Sequence, residues 1–195
     1  DAHDGSSWET AKLSLQAAVD AALDGDTVFV SEGVYNQAVK VKKSVNIFGG
    51  YAATTGERNP EIYHTILDGT NLNSTLLTQV SAFKDTTFFD GLFLQNARHT
   101  AAGGAVVLKA KGVLRNTTIR NCNTEGNAGG VSNSGGTITN CIIELCEAIG
   151  TAGAVHNMGG LVENTIIRGC KGNYAAIRNE SQGIVRNCLL HNNEP

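Results

Sequence analysis

Arg120, Glu144, Arg168 and His191 are the residues best suited by type and spacing to do chemistry, because they recur at steps of 24, 24 and 23. If successive repeats stack as strands, these side chains stand about 5 Å apart on one face. Alternating charge of that kind suits an acidic sugar. A lyase needs a base to take the proton beside a carboxylate, and a cation or Ca²⁺ to stabilise the enolate. In such a groove Arg168 or His191 would be catalytic, with Glu144 and Arg120 beside them. The plainer alternative is a surface ladder of opposite charges, each pair contributing about 0.2–1 kcal/mol. His156, just before Asn157, could join a site or lie exposed beside that asparagine.

Glycoside hydrolysis is poorly served. It usually needs two carboxylates across the scissile bond, and all eight Asp lie at or before Asp90. The later carboxylates are Glu125, Glu144, Glu147, Glu163, Glu180 and Glu194. Glu144 and Glu163 fall on different columns, and Glu144 and Glu147 flank Cys146, which the pattern turns inward. The five cysteines contain no CxxC and the histidines are scattered, so no metal and no cofactor is expected. Cys122, Cys146 and Cys170 share one repeat position, and Cys141 and Cys188 another. They read as buried thiols, with a disulfide between adjacent coils as the alternative. For carbohydrate binding without catalysis, Tyr51 and Tyr63 are the candidates, because sugars stack on aromatics and the coils after Phe93 offer only Tyr174.

One apolar column is unusual. Leu92, Thr118, Ile142, Ile166 and Leu189 lie between two inward positions, and strict alternation turns them outward. An exposed apolar stripe marks an interface for a partner protein or a second copy. A turn that breaks the alternation, or a loop lying over the stripe, would explain it equally.

The elements that hold these residues follow from a ladder. Asn116, Asn140, Asn164 and Asn187 head similar segments at steps of 24, 24 and 23, and a weaker copy begins at Asp90, 26 residues upstream. A fixed period in this range means stacked coils. Gly112, Gly136, Gly160 and Gly183 precede each Asn and mark sharp or positive-φ turns. Asn133, Asn157 and Asn179 mark another turn. Each coil then holds about three short strands. Ile119, Ile143, Ile167 and Leu190 form one inward column, and Thr117, Cys141, Thr165 and Cys188 its neighbour. A leucine-rich repeat fits less well, because Gly129–Gly136 and Gly153–Gly160 are poor helix formers. The fold class is therefore all-β: a parallel β-helix.

Residues 1–195 read as a single domain. Within 6–25, Ser6 and Glu9 offer a capping box. Trp8, Ala11, Leu15, Ala18, Val19, Ala22 and Leu23 form an apolar helical stripe ending at Gly25. This amphipathic helix caps the open end of the solenoid. Thr27–Val30 follows as a short buried strand. Coils over 26–82 are irregular, with a projecting loop near 52–63 around Pro60; those over 83–195 are regular.

A net charge of −3 gives no reason to bind nucleic acid. No run of about 18 apolar residues supports a membrane span. A start at Asp1 without Met is consistent with a removed export signal. The terminal Asn192-Asn-Glu-Pro195 shows no cap pattern, so one segment of a larger surface protein, its solenoid continuing, is a further option.

Two sets of residues resemble a known family. Gly103-Gly-Ala-Val106, paired with a later aromatic-or-aliphatic-x-x-Asn motif, resembles the repeats of chlamydial polymorphic outer-membrane proteins, and Phe93-x-x-Asn96 and Leu190-x-x-Asn193 keep that Asn. Ile119, Ile143 and Ile167 depart from it, with Cys three residues on. Asp4–Trp8, Leu15–Ala18, Gly25–Val28, Glu32–Tyr35, Phe48–Tyr51 and Thr65–Gly69 resemble secreted bacterial β-helix proteins of the same broad, pectate-lyase-like group. The resemblance implies a right-handed β-helix, secreted or on the bacterial cell surface in association with the outer membrane. It implies a non-catalytic, adhesin-like scaffold that binds a glycan or a host or surface protein. The alternative is a carbohydrate-active enzyme, a polysaccharide lyase acting on uronate-containing glycans.

Overall fold

In the computed structural model, which describes residues 3–100 and 103–195, the chain winds as a right-handed parallel β-helix of about seven turns. The first sheet stacks Thr27–Ser31, Asn46–Tyr51, Thr87–Asp90, Gly112–Arg115, Thr137–Thr139, Leu161–Glu163 and Ile184–Arg186. The second stacks Gly33–Tyr35, Thr65–Asp68, Leu92–Gln95, Thr118–Arg120, Ile142–Glu144, Ile166–Arg168 and Leu189–His191. The third runs from Val39–Val41 through Leu77–Gln79, Val106–Lys109, Val131–Ser134 and Ala152–Met158 to Ala175–Glu180. A fourth, of two-residue strands, begins at Arg98–His99 and ends at Lys171–Gly172, one strand per coil more than the sequence pattern offers.

The interior is built from columns. Ile119, Ile143 and Ile167 pair rung on rung and are fully buried, while Leu190, on the last rung, is exposed. The neighbouring column mixes Thr and Cys for one reason. Each donates to the carbonyl two residues earlier: Thr117 to Arg115 at 2.8 Å, Cys141 to Thr139 at 3.2 Å, Thr165 to Glu163 at 2.8 Å and Cys188 to Arg186 at 3.2 Å. A carbonyl freed at a bend needs a buried donor, and hydroxyl and thiol both supply one.

The bends explain the asparagines. Asn116, Asn140, Asn164 and Asn187 all adopt φ of 49–52°, a left-handed backbone that a short polar side chain tolerates best after glycine. Gly91 takes this position one coil earlier, because Asp90 pairs with Arg115, not Asn116. The upstream copy therefore sits 25 residues back, one fewer than the sequence spacing suggests.

The glycines before them have a different role from the expected one. The positive φ belongs to Gly135 and Gly159. Gly136, Gly160 and Gly183 are small because the side chains of Asn133, Asn157 and Asn179 fill the space a Cβ would take. Asn133 Nδ2 donates to Asn157 Oδ1 at 2.8 Å, and Asn157 Nδ2 to Asn179 Oδ1 at 2.7 Å. The same Nδ2 atoms also cap the carbonyls of Gly136 and Gly160 at 3.1 and 2.9 Å. This is a hydrogen-bonded ladder inside the turn.

The N-terminal helix is shorter than its apolar stripe. It spans Leu15–Ala21, buries Leu15 and Val19, and is capped by Ser14, which accepts from Ala17 N. Ser6 and Glu9 do not form the capping box. Asp4 Oδ1 instead accepts from Ser6 N, Ser6 Oγ and Thr10 Oγ1 at 2.9, 2.9 and 2.6 Å. Those local bonds compete with helical ones, leaving residues 3–13 as an irregular strap. Trp8 and Leu23 lie outside the helix, and Leu23 is exposed.

Candidate ligand-binding recess

Strap, helix and first strand enclose a recess of about 780 Å³. Alternation along Thr27–Ser31 buries Val30 and turns Phe29 out at 55% exposure, so this strand is not the fully buried one expected. Phe29 meets Tyr51 edge-on at 5.2 Å, and Tyr51 meets Trp8 at 5.7 Å. Trp8 keeps 37% of its surface open. Tyr35 completes the apolar wall, its hydroxyl 3.0 Å from Ser31 Oγ. Polar groups line the rest: Asp4, Ser6, Ser7, Glu9, Lys12 and Asp26. Hydrogen bonds from Thr10 and Ser6 hold the Asp4 carboxyl down at about 2, so it is ionised at neutral pH.

The loop at 52–63 fixes the back wall. Gly56 adopts φ +70°, and a Cβ there would strike Trp8 Nε1. Arg58 stacks over Phe48 and Tyr51, its guanidinium carbon 5.4 and 5.7 Å from the ring centres. It also pairs with Asp90 at 2.7 Å. Asp90 is buried and accepts from Arg115 at 2.5 Å and Asn116 at 3.1 Å as well. Burial pushes its carboxyl up, but the bonds from Arg58, Asn116 and Arg115 outweigh that and hold it below the usual range. Burial, aided by Asp90, raises the Tyr51 phenol against the pull of Arg58. The chemistry on offer is aromatic stacking plus hydroxyl and carboxylate hydrogen bonding.

Of the tyrosines proposed from sequence, Tyr51 lines the recess and Tyr63 does not. The sequence does not mark Trp8, Phe29 or Tyr35 as binding residues, though all three line the recess. Each sits on a different segment, and only the winding of the coils collects them. Phe29 alone carries a signal, because it stands between Val28 and Val30 on an alternating strand and so faces away from Val30.

The charged column is real as a ladder. Arg120 pairs in register with Glu144, Glu144 with Arg168, and Arg168 with His191. Arg168 binds Glu144 at 2.5 Å. Arg120 instead donates twice to Gln95 Oε1, at 3.1 and 2.8 Å, and lies over Phe93. Gln95 in turn donates to Asp68 at 2.6 Å. These residues line neither the recess nor a smaller hollow of about 410 Å³ beside Phe93.

The apolar column needs one correction. Phe93, not Leu92, pairs with Thr118; Leu92 is 3% exposed and packs inward. The true outward row is Val34, Ile66, Phe93, Thr118, Ile142, Ile166 and Leu189. Pro60, Glu61 and His64 flank its middle across the hollow. His156 is also not exposed. It is 5% accessible, with Nε2 2.7 Å from Glu180 and Nδ1 buried without a partner. The five cysteines are free thiols, and burial pushes Cys141 up to about 12, which makes it unreactive. Among the described residues no helix is long and apolar enough to cross a membrane. No family model, no curated protein and no solved structure matches the chain.

Proposed function

We propose that this chain is a non-catalytic β-helix scaffold, secreted or displayed on a bacterial surface, whose N-terminal recess binds a glycan. The observation that carries this reading is the open aromatic wall of Trp8, Phe29 and Tyr51 set among carboxylates and hydroxyls. Sugars present C–H faces that stack on such rings and hydroxyls that bond the polar rim. The motifs resembling chlamydial outer-membrane repeats support a surface role and an adhesin-like use of the site. Against the lyase alternative, Glu144 and Arg168 are engaged with each other and Arg120 with Gln95.

Trp8 is the single tryptophan, so its emission reports on the recess directly. Titration with neutral and uronate-containing oligosaccharides should shift that emission saturably for at least one class. Tyr51→Ala should weaken binding about tenfold, the loss of one stacking face. No shift with any glycan, and no heat on mixing, would end the glycan reading. Unsaturated product absorbing in the ultraviolet, abolished by Arg168→Ala, would replace it with the lyase.

A further inference from the structure

Two rows run down the outer face of the second sheet, one apolar and one charged. The apolar row is Ile66, Phe93, Thr118, Ile142, Ile166 and Leu189. The charged row, two residues along each strand, is Asp68, Gln95, Arg120, Glu144, Arg168 and His191. Among the described residues no element covers the C-terminal part of this face: Leu189 and Arg168 are exposed and Ile142 and Ile166 half-buried. The sequence of charges is self-complementary about its centre. Reversing the row places Asp68 opposite His191, Gln95 opposite Arg168 and Arg120 opposite Glu144.

We propose that this face binds a second copy of the chain. The two-fold axis lies between the sheets, parallel to the strands, midway between the Arg120 and Glu144 rungs. Such an axis reverses rung order and keeps strand direction, so apolar row meets apolar row and charged row meets charged row. Thr118 then meets the partner's Ile142, Phe93 the partner's Ile166, and Ile66 the partner's Leu189. Every contact occurs twice, as an isologous interface requires. Two sheets pack in this way about 10 Å apart with strands roughly aligned. The charges select this register over its neighbours. Moving the axis by half a rung toward the C-terminus sets Glu144 against its own copy and Arg120 against the partner's Arg168, and a full rung keeps a Glu144–Arg168 pair but sets Arg120 against the partner's His191 and leaves Gln95 unopposed.

The single chain leaves groups for these contacts. Glu144 binds Arg168 through Oε2, and its Oε1 remains as an acceptor for the partner's Arg120. Arg120 is bonded to a neutral carboxamide, not to a carboxylate. The hollow between His64, Pro60 and Phe93 lies where the partner's Ile166 arrives. Two rows of six side chains make an interface at the small end of the specific range, so the dimer is weak and concentration-dependent.

Sedimentation of the wild-type chain over a concentration series should show a monomer–dimer equilibrium that weakens as salt rises. Ile142→Lys and Ile166→Lys should each give monomer with unchanged circular dichroism. Arg120→Glu alone sets like charges across the axis and should give monomer, as should Glu144→Arg alone. A mixture of these two variants restores both cross pairs and should form a heterodimer. A wild-type chain that stays monomeric at its highest soluble concentration overturns the proposal. So does a dimer that survives Ile142→Lys, or a mixture of the charge variants that fails to associate.

Discussion

The two halves of this molecule are stabilised by different means. From Gly112 onward each coil repeats the last, and each inward column serves one task. Asn116, Asn140 and Asn164 make the same left-handed bend, Ile119, Ile143 and Ile167 fill the same core position, and Asn133 and Asn157 cap the same carbonyl. Before residue 65 the strands still stack in register, but no column keeps one residue type, and cross-linking is added to stacking. Asp90 gathers Arg58, Arg115 and Asn116, and Trp8, Phe29 and Tyr51 close on one another from three segments. A repeating coil can present only rows at a fixed spacing. A concave site with converging groups requires the repeat to be broken, and the recess lies where it is broken.

The largest expected effect tests the repetition. Asn157 bonds both neighbouring ladder members and the Gly160 carbonyl. Asn157→Ala strands buried polar groups on adjacent coils, each worth about 1–3 kcal/mol when unsatisfied. Urea unfolding should show a loss of about 3 kcal/mol, and a loss below about 1 kcal/mol would mean water replaces the ladder without cost. The cross-linked half should respond less and respond to pH. The carboxyl of Asp90 is depressed by its partners, so its contribution is complete above the ordinary value of about 3.9 and is lost as pH falls through the depressed one. Asp90→Asn should cost about 2 kcal/mol at neutral pH, discounted from a fully buried pair because both arginines are partly exposed. The variant's stability should then fall less steeply in acid than the wild type's. Parallel acid profiles for the two proteins would show that Asp90 is not the group that ties down the loop.

How much of this was legible in the sequence divides along the same line. The period, the inward columns and the parallel stack follow from residues that recur, because stacking copies local geometry from coil to coil. Leu92 was misplaced because Gly91 does in that coil what an asparagine does in later ones, so the spacing is one residue shorter. The strap was read as helix because Trp8 continues the apolar spacing of Leu15 and Val19, while the hydrogen bonds of Asp4 decide otherwise. His156, which its place beside the Asn157 turn suggests is exposed, has a buried side chain bonded to Glu180 on the next coil. The recess left no pattern, since its members are far apart in sequence and meet only through the coil's winding.

The smallest effect concerns the one misfit inside the regular half. Asn96, Asn121, Gly169 and Asn192 make the second bend in left-handed conformation, and at the equivalent point Leu145 adopts φ 53° with 58% of its surface exposed. A branched apolar side chain gains nothing there from burial and carries a steric cost of about 1–2 kcal/mol that asparagine largely avoids. Leu145→Asn should therefore stabilise the fold by about 1 kcal/mol in urea unfolding, bringing the coil into line with its neighbours. A Cβ at Gly169 would meet only the tip of the exposed Leu145 side chain, which can swing aside, so Gly169→Asn should be tolerated and should cost slightly less once Leu145 has been replaced. If Leu145→Asn destabilises, the leucine must cover apolar surface that its exposure does not reveal, and local repetition would then be a poorer guide to stability than the columns on either side of it imply.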